Sequence, residues 1–184
     1  MADIELRSAT PDDIPAITAI YRPAVLFGTA SFELEPPTED EMRRRFEAIT
    51  GNGYPYLVAE ISDAVVGYGY ANAFRPRPAY RSTVENSIYV APDHQGKGVG
   101  RALLARLIEV CTEQGFRQMI AIIGDSGQRA SIGLHRSLGF IFAGTAHSVG
   151  FKHGRWLDTV MMQRALGEGD STPPRDVRSR ATRE

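Results

Sequence analysis

A chain of 184 residues with 42% apolar and 23% charged residues has the size and composition of one soluble globular domain. A net charge of −1 gives little of the basic field that non-specific nucleic-acid binding depends on, and no run approaches the roughly 18 apolar residues of a membrane span, so neither nucleic acid nor membrane is an expected partner. With one cysteine, Cys111, and no Cys/His cluster at ligand spacing, an internal disulfide is excluded and no metal is expected.

The start, Met1-Ala2-Asp3-Ile4-Glu5, has neither a basic nor an apolar signal region, which places the protein in the cytoplasm. Ile4 to Arg7 alternates as a strand does, and Thr10-Pro11-Asp12-Asp13 opens a helix carrying Ile14, Ile17, Ala19 and Ile20. Residues 25–37, with Gly28, Pro36 and Pro37, are too broken for a long element, and a charged helix follows from Glu39 to about Ile49. Tyr56 to Ile61 and Val65 to Tyr70, rich in β-branched and aromatic residues, predict an antiparallel hairpin; Val84 to Ala91 predicts a further strand.

From Val99 to Gln114, Leu103, Leu104, Leu107, Ile108 and Cys111 recur at helical spacing and mark one buried face. Met119 to Ile123 reads as a strand buried on both sides. Ser131, Leu134, His135 and Leu138 predict another helix, followed by strands over Phe140 to Ala146 and Trp156 to Met162. Antiparallel strands first and β-α-β alternation later predict an α/β (α+β) domain over residues 1–166, a mixed sheet with helices on its faces. Five arginines from Arg164 to Arg183 are interleaved with acidic residues, so 167–184 reads as a polar, flexible tail and not a binding arm.

The most informative segment is Ile88-Tyr89-Val90-Ala91-Pro92-Asp93-His94-Gln95-Gly96-Lys97-Gly98-Val99-Gly100-Arg101: a strand, a turn and a glycine-rich start to a helix. Gly96, Gly98 and Gly100 let backbone come close to a ligand, and the unpaired amides of the first helical turn favour phosphate oxygens, so a diphosphate fits here. A Walker loop needs Gly-Lys-Ser/Thr, and a dinucleotide fingerprint follows the first strand of a βαβ unit; neither description holds.

Gln95-Gly96-Lys97-Gly98-Val99-Gly100 is similar to the Gln/Arg-x-x-Gly-x-Gly/Ala signature of the GNAT superfamily of N-acetyltransferases, and Ala130 to Phe140 resembles that superfamily's later helix with its Leu-Gly-Phe end. Phe74 to Val90, with Gly154-Arg155-Trp156-Leu157-Asp158, narrows the resemblance to the phosphinothricin and methionine sulfoximine acetyltransferases over residues 2 to about 166. The resemblance implies a mostly antiparallel mixed sheet, acetyl-CoA as co-substrate, a small amino acid or analogue as acceptor through its α-amine, and a homodimer. It implies that Gly96, Lys97, Gly98, Val99, Gly100 and Arg101 hold the CoA pyrophosphate and that Ile88, Tyr89 and Val90 pair with the pantetheine arm. Gln128 stands where many members have Asn and is a further cofactor candidate.

Glu85, taken alone, reads as a polar residue on the solvated side of a strand; within the resemblance it becomes the leading general base. Arg75, Pro76 and Arg77 coincide with the family's substrate loop, where a guanidinium grips an acidic group through two hydrogen bonds, and Glu85, Asn86 and Ser87 join them as substrate contacts. Phe27, Phe32 and Tyr80 are candidates for an apolar wall. His135 has two readings, a satisfied core histidine or a catalytic proton relay to the departing sulfur in place of the superfamily's Tyr. Cys111 belongs to a core-facing helix stripe, which favours direct attack over an acetyl-enzyme. Two other functions stay open: a different amine, such as a protein N-terminus or an aminoglycoside, and a silent acetyl-CoA sensor.

Overall fold

A computed structural model describes residues 3–174. Its strands are β1 (Glu5–Ser8), β2 (Tyr56–Ile61), β3 (Ala64–Ala73), β4 (Thr83–Val90), β5 (Gln118–Gly124), β6 (Ile141–Lys152) and β7 (Arg155–Ala165). Its helices are α1 (Ile14–Leu26), α2 (Glu39–Gly51), α3 (Val99–Glu113) and α4 (Arg129–Ser137). The strands form one sheet in the order β1-β2-β3-β4-β5-β7-β6, antiparallel throughout except for β4 beside β5.

Both faces of the sheet are covered, which is why its inner strands read as continuous apolar runs. On one face Leu103, Leu104, Leu107 and Cys111 of α3 pack with Leu57, Ala59, Val84 and Met119, all buried. On the other, Ile14, Ile17, Tyr21 and Val25 of α1 and Met42 and Phe46 of α2 cover Tyr56, Val58 and Tyr68. Period-two alternation separates Leu57 and Ala59 from Tyr56 and Val58 along β2. That second face carries a ladder of tyrosines, with ring centroids 5.0 Å apart for Tyr56–Tyr70, 5.2 Å for Tyr68–Tyr89 and 4.8 Å for Tyr21–Tyr89.

Several boundaries differ from the sequence reading, three of them for reasons the packing shows. Helix α1 continues through Pro23 to Leu26, because Tyr21 and Val25 extend its buried stripe and tertiary packing outweighs the lost backbone donor. Ala64 belongs to β3, leaving the two left-handed residues Ser62 and Asp63 as the hairpin turn. The β6–β7 hairpin runs on to a tight turn at His153-Gly154; register shifts between Phe142 and Gly144 and between Ala146 and Gly150 break the alternation a strand normally shows.

Arg7 staples the sheet edge to the start of α1. Its two terminal nitrogens each donate to a carboxylate oxygen of Asp13 at 2.7 Å, and one also reaches Glu60 of β2. Of the segment from 167 onward, residues to 172 gather on Arg117, which donates to the Gly169 carbonyl at 2.8 Å and pairs with Glu168; residues 175–184 lie outside the described residues. Among the described residues no helix is long and apolar enough to cross a membrane, and no group of His, Cys, Asp or Glu has the arrangement of a metal site.

Candidate active site

The parallel strands β4 and β5 are paired only from Thr83–Gln118 to Asn86–Ala121, yet β4 continues to Val90 and β5 to Gly124. Beyond Asn86 they part, and a slot opens through the middle of the sheet. Its cavity of about 410 Å³ is lined by residues 86–90 of β4 and 121–124 of β5, with the glycine loop and α4 around it. Residues 87–90 keep β3 on one side and have no strand on the other. Backbone groups left open in this way need a hydrogen-bonding partner, and an extended amide-bearing ligand supplies one.

At one end of the slot, Gly98 forms the N-cap of α3 with φ +92°, and Gly96 has φ +74°. A side chain is strained in this left-handed conformation, so the turn depends on glycine. It brings the first-turn amides of α3 to the cavity beside Gln95, Gly96, Gly98, Gly100 and Arg101. Arg101 donates to the Ser137 hydroxyl at 2.7 Å, linking α3 to α4 along the same rim.

Strand alternation assigns the β4 side chains to two sides. Val84, Ile88 and Val90 pack on the α3 face, and Asn86 lies with them; Tyr89 packs on the tyrosine face, where Ser87 bonds the Tyr70 hydroxyl. Glu85 shares that second face, and burial pushes its carboxyl above the ordinary range. On the slot side His135 is buried, its Nδ1 2.8 Å from the Ser131 carbonyl and its Nε2 3.0 Å from Asn86 Oδ1, with Phe140 edge-on at 4.9 Å. Asn86 Nδ2 donates to the Ile120 carbonyl at 3.0 Å. Burial holds the imidazole below its ordinary value and outweighs the Ser131 carbonyl, which acts in the opposite direction.

The family model described as Acetyltransferase (GNAT) domain matches residues 6–161. The chain belongs to the GNAT acetyltransferase family. It is 55% identical to the phosphinothricin N-acetyltransferase of Alcaligenes faecalis, over 92% of this chain and 86% of the relative. Identity to the L-methionine sulfoximine/L-methionine sulfone acetyltransferase of Pseudomonas paraeruginosa is 44%, over 91% of this chain and 98% of the relative. A GNAT superfamily phosphinothricin acetyltransferase from Sinorhizobium meliloti, solved in complex with AcCoA, superposes with a TM-score of 0.93 at 54% identity, covering 97% of each chain.

This GNAT chain is therefore an acyltransferase enzyme that uses acetyl-CoA. The slot fits that co-substrate: an open strand edge for the amide-bearing arm, and a left-handed glycine turn with helix amides for a pyrophosphate. Of the residues the resemblance assigns to the cofactor, Ile88, Tyr89, Val90, Gly96, Gly98, Gly100, Arg101 and Gln128 line the cavity. Lys97 is exposed outside it, and the Val99 side chain is buried in the core. The Gln128 amide donates to the Thr29 hydroxyl at 2.9 Å, so this side chain joins α4 to the α1–α2 loop.

The arginine loop lies apart from the cavity, between β3 and the start of β4. Arg75, Pro76 and Arg77 are exposed, and the Arg75 guanidinium lies over the Phe74 and Tyr80 rings at 5.2 and 6.0 Å. Asn86 and Ser87 line the slot, the first with its side chain engaged by His135. Cys111 is fully buried, and burial pushes its thiol up to about 12.

Sequence reasoning did not single out the docking of the α1–α2 loop. The Phe32 ring sits against Gly124 and Gly150; a Cβ at Gly124 would fall 2.8 Å from it, so both glycines make room for the aromatic. Buried Lys152 donates to the Ser31 carbonyl at 2.7 Å, and the Ser31 hydroxyl bonds Tyr21 at the same distance. Gly124 and Gly150 mark this clasp only in retrospect. Phe27, by contrast, is 81% exposed.

Proposed function

We propose that this enzyme transfers the acetyl group of acetyl-CoA to the α-amine of a small amino acid or analogue of the phosphinothricin and methionine sulfoximine type, by direct attack in a ternary complex. The observation that carries the reading is the division of labour across β4. Glu85 stands on the tyrosine face, and His135 stands with Asn86 on the slot face where the strands part. Two reactants approaching from opposite faces meet at that opening.

An amino-acid amine is mostly protonated at neutral pH, so Glu85 takes its proton, directly or through one water. The neutral amine attacks the acetyl carbonyl, a C–N bond forms and the C–S bond breaks. The nitrogen releases its second proton to solvent as the amide forms, and the sulfur takes a proton held at His135, which solvent then restores. Arg75 and Arg77, on a loop stiffened by Pro76 and Pro78, hold the acceptor's acidic group, with Ser87 beside it. A polycationic aminoglycoside would meet like charge at that loop. The buried thiol of Cys111 speaks against an acetyl-enzyme.

The test is an acceptor screen with acetyl-CoA, reading thiol release with free amino acids, their phosphinate and sulfoximine analogues, N-terminal peptides and aminoglycosides. Turnover confined to peptides or aminoglycosides would reject the reading. The assembly proposed is a homodimer: Ile141, Phe142, Val149, Phe151 and Trp156 leave an apolar face exposed on the β6–β7 hairpin, which sedimentation can test.

A further inference from the structure

The chain of contacts through His135 begins and ends on backbone carbonyls, Ser131 at one end and Ile120 at the other. A carbonyl only accepts, and so does Asn86 Oδ1, so this chain has a definite proton requirement. In the Nδ1–H tautomer the bare Nε2 faces Asn86 Oδ1. In the Nε2–H tautomer the bare Nδ1 faces the Ser131 carbonyl. If the Asn86 amide turns over to donate to Nε2, its oxygen faces the Ile120 carbonyl instead. Each neutral arrangement leaves one acceptor against an acceptor, and the imidazolium leaves none.

We propose that Asn86 is a positioning residue that keeps His135 charged with a transferable proton, because only the doubly protonated ring matches all three contacts. The role rests on the proposed function in one respect, that this proton goes to the departing sulfur: Nε2–H leaves its hydrogen bond to Asn86 Oδ1, the Nε2–H bond breaks and the S–H bond forms. The ring's surroundings are Asn86 from β4, the Ile120 carbonyl of β5 behind it, the Ser131 carbonyl of α4 and the Phe140 edge, none of them charged. Burial favours the neutral ring and outweighs the Ser131 carbonyl; the acceptor-against-acceptor contact that any neutral arrangement leaves opposes it.

The direct test is ¹⁵N NMR of the His135 ring through a pH titration, in the wild type and in Asn86→Ser. A serine hydroxyl can donate to a neutral ring, which removes the mismatch, so His135 in Asn86→Ser should titrate at least about one pH unit lower, a tenfold change in proton affinity. Asn86→Asp should titrate higher than either. In the wild type the Asn86 side-chain amide resonances should follow the same titration, a readout that needs no variant. Identical titration in wild type and Asn86→Ser, or an Asn86 amide indifferent to it, overturns the assignment. If the NMR shifts appear while the acidic and basic limbs of kcat stay unchanged, Asn86 tunes His135 but His135 does not serve the sulfur; that outcome rejects the catalytic role and leaves the acceptor assignment intact.

Discussion

Replacing Glu85 by Gln keeps the side chain's size and removes its basicity. Positioned general bases contribute on the order of a hundred- to ten-thousand-fold, so kcat at neutral pH should fall at least about a hundredfold while the Kd of acetyl-CoA, whose proposed site lies on the other side of β4, stays put. The pH dependence follows from burial, which raises this carboxyl above the ordinary value of 4.5. Activity needs the ionised form, so the wild-type kcat/KM profile should lose activity as pH falls through that raised value, and Glu85→Gln should lack that limb. The same shift fixes the sign of its stability effect. A folded-state carboxyl that holds its proton more tightly than the unfolded chain stabilises the fold below the unfolded pKa and loses this as pH rises through the folded value. Glu85→Gln should therefore be at least as stable as wild type at neutral pH, as read by denaturant titration. Stopped thiol-release assays from pH 5 to 9 with a confirmed acceptor, alongside calorimetry of acetyl-CoA binding, measure both halves. Near wild-type kcat across that range would refute the assignment of the base.

Gly98→Ala forces a side chain into φ +92°, a strain of roughly 1–2 kcal/mol, so acetyl-CoA affinity should fall by roughly five- to thirtyfold in calorimetry as the loop leaves its cradle geometry. Gly100→Ala should be milder, since its Cβ would meet Leu134 at an ordinary 3.4 Å. Arg75→Ala with Arg77→Ala should raise KM for acidic acceptors about tenfold or more and leave KM for acetyl-CoA unchanged; equal rises in both would remove these arginines from the acceptor site. Asp13 is held below the ordinary carboxylate range by its hydrogen bonds to Arg7, so its contribution is present above its unfolded value and lost as pH falls through the folded one. Asp13→Asn should be destabilised at pH 7 by urea titration, and the gap to wild type should close toward pH 3.

What the sequence made legible was local. The leucine stripe of α3 and the glycine turn before it announce themselves because helical period and left-handed glycine are properties of a few adjacent residues. The slot was not legible, since it arises where β4 and β5 stop pairing after Asn86 and Ala121, two segments 35 residues apart. Asn86 was expected as a substrate contact from the family resemblance; that its side chain lies on the face opposite Glu85 and bonds His135 follows from the strand's alternation seen with its neighbours. His135 is both buried and on the slot wall, a fact of tertiary packing that the sequence could not show and on which its proposed role rests. Phe32 looked like one exposed aromatic in a broken loop, and its seat is made by Gly124 and Gly150, far along the chain. Likewise β6 was cut short because His147, Ser148 and Gly150 interrupt its pattern at a bulge.

The central claim is that amine and thioester meet directly across the opening beside β4, with no acetyl group held by the protein between them. Initial-velocity measurements with acetyl-CoA and a turned-over amino-acid analogue both varied test it. The account predicts intersecting double-reciprocal lines and no thiol release by enzyme mixed with acetyl-CoA alone. Parallel lines with a stoichiometric burst of thiol in the absence of acceptor would contradict it.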